Sequence, residues 1–452
     1  MVLPLPVDGF ERSLLLDDHP AYPNGSFIRV HLRGRLHRDT LLEASRLALA
    51  RHPLLKARVA RDGSRLTWVP DTADDRPVRW VEGPTRGEYP SATHIDLSTG
   101  PGWRMVAVED GERTDLVSQF HQACTDGMGG FRFLEDLVIF YCNLAAGRPR
   151  DEGLRPLDPS LIANRWALGL DARKALLVLP LQLAGTRWLL EFLTREATPL
   201  VPVRPAPLDL PAPARFPAVA SATFEPHELT ALKTAARRLR VSVYELFVRD
   251  TFIALAEWRR RRGLGDERDL LRLGVPIDLR FPRSTAHLLP AMNRMSVLLL
   301  DRRSGACGSS GELLHSIKEQ FRFVARYHLE LEFVTLMSLA MNVPYVPEMV
   351  ARLPRCLVTH ALSFMGRAGD QVPLPRDERG LFRVGSAVVE GCDGIGALRP
   401  YQCGVTSIGQ YAGRLFFATH YDPRSLALEE GQDLMQSILT RLRLSAGLLP
   451  AK

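Results

Sequence analysis

Seven prolines stand between Pro199 and Pro217 of this 452-residue chain. Proline has no N–H to give to a helix or a central strand, and its ring fixes φ. Segment 197–217 is therefore predicted to be an extended, semi-rigid connector. It leaves comparable lengths on either side, 1–196 and 218–452. A chain of this length suggests two or three domains, or one large two-lobed fold. Helix-type and strand-type patterns mix in both halves, so the expected class is α/β.

In the first half, Asp39 reads as the N-cap of a helix over 40–51, with Leu41, Leu42, Leu47, Ala48 and Leu49 on its apolar face. His52-Pro53-Leu54-Leu55 then turns the chain into a strand. Alternation over 103–108 and 115–120 predicts two strands, joined as a hairpin by the polar run 109–114. The second strand delivers His121 to its tip. After Gly129 and Gly130, a helix is predicted over 131–144, with Phe131, Leu134, Leu137, Val138 and Tyr141 facing inward. The second half predicts helices over 228–239, 242–260 and 311–326. Strands are predicted over 273–280, 295–300, 404–408 and 415–419.

Composition narrows the function classes. The hydrophobic fraction is 46%, and the net charge is +7, most of the positive charge being Arg. That charge suits acidic partners such as coenzyme A phosphates, an acidic carrier protein or anionic headgroups. No basic tract interleaved with aromatics points to nucleic acid. Six scattered cysteines with no CxxC pair fit a reducing compartment, and a cytoplasmic location is expected. His121 and Cys124 lack a second ligand pair, so no metal site is predicted. The N-terminus shows no basic region followed by an apolar core, so no secretory signal is predicted. Segment 175–193 is apolar but broken by Pro180, Gln182, Arg187 and Glu191. It reads as an amphipathic helix against the protein or, in peripheral contact, on a membrane surface.

The chemistry-bearing run is Phe120-His121-Gln122-Ala123-Cys124-Thr125-Asp126-Gly127. It resembles the His-His-x-x-x-Asp-Gly signature of a superfamily of thioester-dependent acyltransferases. That superfamily contains chloramphenicol acetyltransferase, nonribosomal peptide condensation domains, polyketide-associated acyltransferases and wax-ester or diacylglycerol synthases. Further segments carry the resemblance in order. They are His52-Pro53-Leu54-Leu55, Asp96-Leu97 with Gly100-Pro101, and Val275-Pro276-Ile277-Asp278-Leu279-Arg280 with Asn293. Ser363-Phe364-Met365-Gly366 and His420-Tyr421-Asp422 follow. The resemblance implies two chloramphenicol acetyltransferase-like α/β sandwich lobes in a V with a central channel. Such a channel excludes water and aligns donor with acceptor.

The chain departs from the signature at its second histidine, which in the family deprotonates the acceptor. Gln122 stands there, and a carboxamide cannot take a proton at neutral pH. The resemblance implies a structural His121, or a substitute base after a small loop shift. It implies that Asp126 is paired to an Arg, with Arg280 the first candidate and Arg29 the second. Gly127 fits a close substrate approach, and Gly129 and Gly130 could open a helix N-terminus to a phosphate or carbonyl oxygen. Arg280, Asn293, Ser363, His360 and His420 fall beside the channel, the two histidines as reserve bases. The implied activity is acyl transfer from a coenzyme A or carrier-protein thioester to an alcohol or amine, in secondary or lipid metabolism. The thioester is a co-substrate and no bound cofactor is expected. The alternative is a non-catalytic relative that binds an acyl carrier, a lipid or a partner protein.

Overall fold

The computed structural model describes residues 2–71, 78–91, 94–166, 194–203, 206–280, 283–343, 345–351, 353, 355–369 and 372–450. The expected amphipathic segment 175–193 lies outside them. Two six-stranded sheets carry the fold. The first runs, in spatial order, Arg383–Val384, Ala387–Ile395, Gly25–Arg33, Arg113–His121, Trp103–Glu109 and Arg79–Glu82. The second runs Met295–Arg303, Leu270–Asp278, His360–Arg367, Gly404–Tyr411, Arg414–Tyr421 and Ala218–Phe224. A three-stranded sheet (Leu5–Pro6, Arg65–Pro70, Ala57–Asp62) flanks them. Helices Arg38–Arg51 and Gly127–Ala145 build one core, burying Leu41, Ala44 and Ala48 with Phe133, Leu137 and Phe140. Helices Val243–Arg261 and Leu428–Ser445 build the other, around Phe247, Trp258, Leu434 and Leu442. The molecule is thus a pair of sheet-rich α/β lobes.

The predicted hairpin is present, with Val106 opposite Val117. Two helix starts differ from expectation. Asp39 does not cap its helix; His37 holds the cap position without a side-chain bond, and Asp39 lies in the first turn. The helix expected from 131 begins at Gly127. Asp126 caps it by accepting the Gly129 N–H, so the glycines lie inside the first turn rather than before it.

The sheets do not divide the chain at the proline-rich segment. Strand Ala387–Ile395 lies in the first sheet, antiparallel to Gly25–Arg33. A buried polar cluster fastens it there. Arg29 donates to both oxygens of Asp393, at 3.2 and 2.9 Å. His31 lies 2.8 Å from Asp115 and 3.2 Å from Asp393. The Tyr89 hydroxyl donates to Asp393 as well. Arg29, the second candidate partner for Asp126, is thereby committed elsewhere. The lobes also meet through apolar contact. Phe27, Val117 and Ile395 pack with Val405, Ala418 and Phe216, the last from the proline-rich segment.

Burial pulls the His31 pKa down, but hydrogen bonds to Asp115 and Asp393 outweigh it and raise the value above the ordinary 6.5. Burial pushes Asp393 up, yet Arg29 and His31 hold it well below the carboxylate range. The charged groups facing His31 are Arg29, Asp115 and Asp393, with the Tyr89 hydroxyl on the same carboxylate. A raised native pKa adds stability that is complete below the unfolded pKa and fades as pH climbs through the native one. Denaturant titrations of wild type and His31→Gln should therefore show the widest stability gap near pH 6, narrowing as pH rises. A constant gap would mean that the fold leaves the His31 pKa unshifted, and a gap that widens as pH rises would mean that His31 is held there uncharged.

Candidate active site

Strand Arg113–His121 pairs on both edges, with Gly25–Arg33 and Trp103–Glu109, so its tip is fixed by two neighbours. At that tip, His121 folds back on the chain. Its Nδ1 accepts the Ala123 N–H at 3.0 Å, and its Nε2 lies 3.2 Å from Asp18. Only 1% of His121 is exposed. Asp18 also meets His94 at 2.6 Å. Burial pushes Asp18 up, but its bonds to His121 and His94 hold it well below the carboxylate range. His121 is thus turned into the protein and does not line the cavity.

Gln122 is clamped by its backbone from both lobes. Its N–H donates to the Asn24 carbonyl at 3.0 Å, and its carbonyl accepts Asn293 Nδ2 at 2.7 Å. Its side chain lines the cavity. Asn293 was expected to touch substrate. Buried at 1% exposure, it instead holds the loop.

The expected ion pair between Asp126 and Arg280 is present and bidentate, at 2.7 and 3.0 Å. Asp126 also accepts the N–H groups of Gly129 and Arg294, both at 2.8 Å. Four donors saturate the carboxylate, so it braces the loop. Burial would lower the Arg280 pKa, but Asp126 and Asp278 raise it, and the charge is permanent. Arg280 adds bonds to Asp278 at 2.7 Å and to the Met292 carbonyl at 3.0 Å.

The glycines separate by role. A Cβ at Gly127 would meet nothing within 4 Å, so this position opens onto the cavity at the positive end of a 19-residue helix. Gly129 and Gly130 do not line the cavity as expected. A Cβ at Gly129 would sit 2.9 Å from the Met292 carbonyl, and one at Gly130 would sit 3.0 Å from Ile28. They let the helix start pack closely between the lobes.

Neither reserve histidine reaches the cavity. His360 Nε2 bonds to Thr406 Oγ1 at 2.8 Å, and burial pulls its pKa down to about 3. His420 Nδ1 bonds to the Gly396 carbonyl at 2.8 Å, and burial pulls it down to about 4. Both are sealed neutral side chains of the second lobe. Ser363, by contrast, lines the cavity.

The cavity measures about 260 Å³ and lies between the lobes. Its polar end holds Gln122, Asp126, Asp278 and Arg280. Most of the remaining wall is apolar, and five methionines contribute: Met128, Met295, Met337, Met341 and Met365. Methionine is flexible and polarizable, so this wall can adjust its shape. Helices Gly9–Leu16 and Glu332–Ala340 supply Phe10, Leu14, Phe333 and Met337 to it. Neither helix was anticipated from sequence. The spacing of Phe333, Met337 and Met341, four residues apart, was the available signal. At the rim, Arg399 meets Asp17 at 2.7 Å and ties the halves of the chain together. Among the described residues no group of three His, Cys, Asp or Glu could hold a metal ion. No described helix is long and apolar enough to cross a membrane.

A scan against known protein families finds no match. An uncharacterized Mycobacterium tuberculosis protein is 32% identical over 165 residues, and that match spans 35% of this chain and 37% of the relative. Solved structures match over nearly the whole chain. Polyketide synthase associated protein 5 of M. tuberculosis aligns with a TM-score of 0.64 at 16% identity, covering 99% of this chain and 100% of that one. The starter condensation domain of rhizomide synthetase, solved with C8-CoA and Leu-SNAC, aligns at 0.66 and 14%, covering 98% and 94%. The first condensation domain of the CDA synthetase aligns at 0.66 and 16%, covering 99% and 96%. With its two lobes, its central cavity and its motif loop at the lobe junction, the chain has the fold of the condensation domains.

Proposed function

We propose that the chain transfers an acyl group from a coenzyme A or carrier-protein thioester to an alcohol or amine acceptor. The observation that carries this reading is the adaptable apolar cavity ending at Gln122, with the loop geometry around it intact. The acceptor nitrogen or oxygen attacks the thioester carbonyl, the C–S bond breaks, and the thiol leaves with the acceptor's proton. The cavity contributes by alignment and water exclusion, which can supply much of an entropic barrier. The open helix end at Gly127 and the Gln122 amide orient polar groups of the substrate. No histidine faces the cavity among its described lining residues, so transfer by this chain relies on an acceptor that is nucleophilic without a strong base, such as a free amine. The donor reading draws on the C8-CoA bound by the rhizomide synthetase domain. The six buried free thiols favour a reducing, cytoplasmic setting.

The missing base favours a second reading, a binding protein that retains the thioester in the cavity without transferring it. A panel of acyl thioesters assayed for free thiol separates the two. Release that depends on an added amine or alcohol is the expected result. Thioesters that bind but release no thiol with any acceptor would leave binding as the function.

A further inference from the structure

Strands His360–Arg367 and Gly404–Tyr411 run parallel through the middle of the second sheet, with Ser363 in register with Ser407. Both serines line the cavity, and Ser407 is 2% exposed. Two residues earlier on the same face, Ala361 and Val405 stand side by side, also on the cavity wall. Where the second sheet faces the cavity, its other contributions are apolar from Met295, Val297 and Leu299 to Ala361 and Val405, Asp278 at the polar end excepted, so the two hydroxyls form a notch in that face. Neither hydroxyl makes a hydrogen bond among the described residues, and neither residue has a further interaction there.

Neighbouring strands lie about 4.8 Å apart, so two hydroxyls in register can reach one atom placed between them. An alkyl segment bound at this point would strip water from both hydroxyls and return no hydrogen bond, which is unfavourable. Two alanines would serve such a ligand better. We infer that Ser363 and Ser407 form a docking point for an oxygen atom of the bound substrate. The oxygen is either the thioester carbonyl or a hydroxyl carried on the acyl chain. This inference rests on the thioester reading only in assuming that a thioester-like ligand enters the cavity. It adds a specificity element on the wall of the second lobe, away from the motif loop.

Three coenzyme A probes test it by calorimetry, without turnover. S-decyl-CoA carries no chain oxygen. Decanoyl-dethia-CoA, with CH2 in place of sulfur, keeps the carbonyl but has no leaving group. S-(3-hydroxydecyl)-CoA carries a chain hydroxyl. Ser407→Ala, and the double variant with Ser363→Ala, should bind S-decyl-CoA as well as wild type or better. They should bind one oxygen-bearing probe roughly tenfold more weakly, the size of a lost hydrogen bond. Which probe suffers identifies the oxygen. Ser407→Thr, which keeps the hydroxyl, should restore binding. Thermal melts should not fall in the alanine variants, because no protein hydrogen bond is removed. Equal affinities of wild type and double variant for all three probes would overturn the inference while leaving the cavity reading intact, as would an equal loss for all three. Wild type that binds none of the probes would overturn both.

Discussion

Gln122→His should raise the rate of thioester-dependent transfer by up to ~10²–10⁴-fold, the usual contribution of a well-placed general base. The expectation comes from how little else the loop lacks. The Gln122 backbone is fixed by Asn24 on one side and Asn293 on the other, so a new imidazole would enter a defined position. Asp126 and Arg280 already brace the turn. His121 is held by Ala123 and Asp18 and would not compete for the site. The variant's pH–rate profile should gain an acidic limb near ~6.5, where an unperturbed imidazole titrates. Gln122→Ala should cost much less than a catalytic histidine would. A folded Gln122→His protein with no gain in rate, or a wild type abolished by Gln122→Ala, would mean that the amide itself performs the essential task.

Arg280→Ala should destabilise the protein by ~3–5 kcal/mol, because it leaves the Asp126 carboxylate buried without its cation. Side chains of both partners are almost inaccessible, at 6% and 5% exposure. The pair joins the motif loop to the end of strand Leu270–Asp278, so the loss would be felt at the lobe junction. A urea midpoint measured on Arg280→Ala, on Asp126→Asn and on the double variant gives the coupling directly. The double variant should be less damaged than the sum of the singles. Additive losses would show that the two groups stabilise the fold independently of each other.

The strands and the helix around the motif are legible in the sequence because local pattern and tertiary role coincide there. Alternation over 103–108 and 115–120 marks a hairpin whose one face is core, and the Asp126 pairing followed from the cost of an isolated buried charge. What sequence could not give was direction. His121 and, in reserve, His360 and His420 all look available on paper. In the fold each is turned inward and engaged, His121 by Ala123 and Asp18, His360 by Thr406 and His420 by Gly396. Asn293 carried no mark distinguishing a substrate contact from a loop clamp. Gly129 and Gly130 looked like an anion cradle, and only the nearness of Met292 and Ile28 shows them to be packing positions. The contribution of helices Gly9–Leu16 and Glu332–Ala340 to the cavity depends on contacts distant in sequence, which no window of residues reports.

The strand Ala387–Ile395 sets a timetable for synthesis. Arg29 and Asp393 are separated by 364 positions. At roughly 5–20 residues per second, the ribosome takes about 20–70 s to supply the partner of an edge that has already emerged. Throughout that interval Gly25–Arg33 presents unpaired backbone groups along one side, the kind of edge that recruits foreign strands. Arg29 and His31 project from it with no carboxylate from Asp393 to meet them. The nascent chain therefore passes through a long stage in which its first lobe is incomplete. Holding chaperones should raise its yield on expression, and a supplied peptide of sequence 383–395 should help a truncated first half stay in solution.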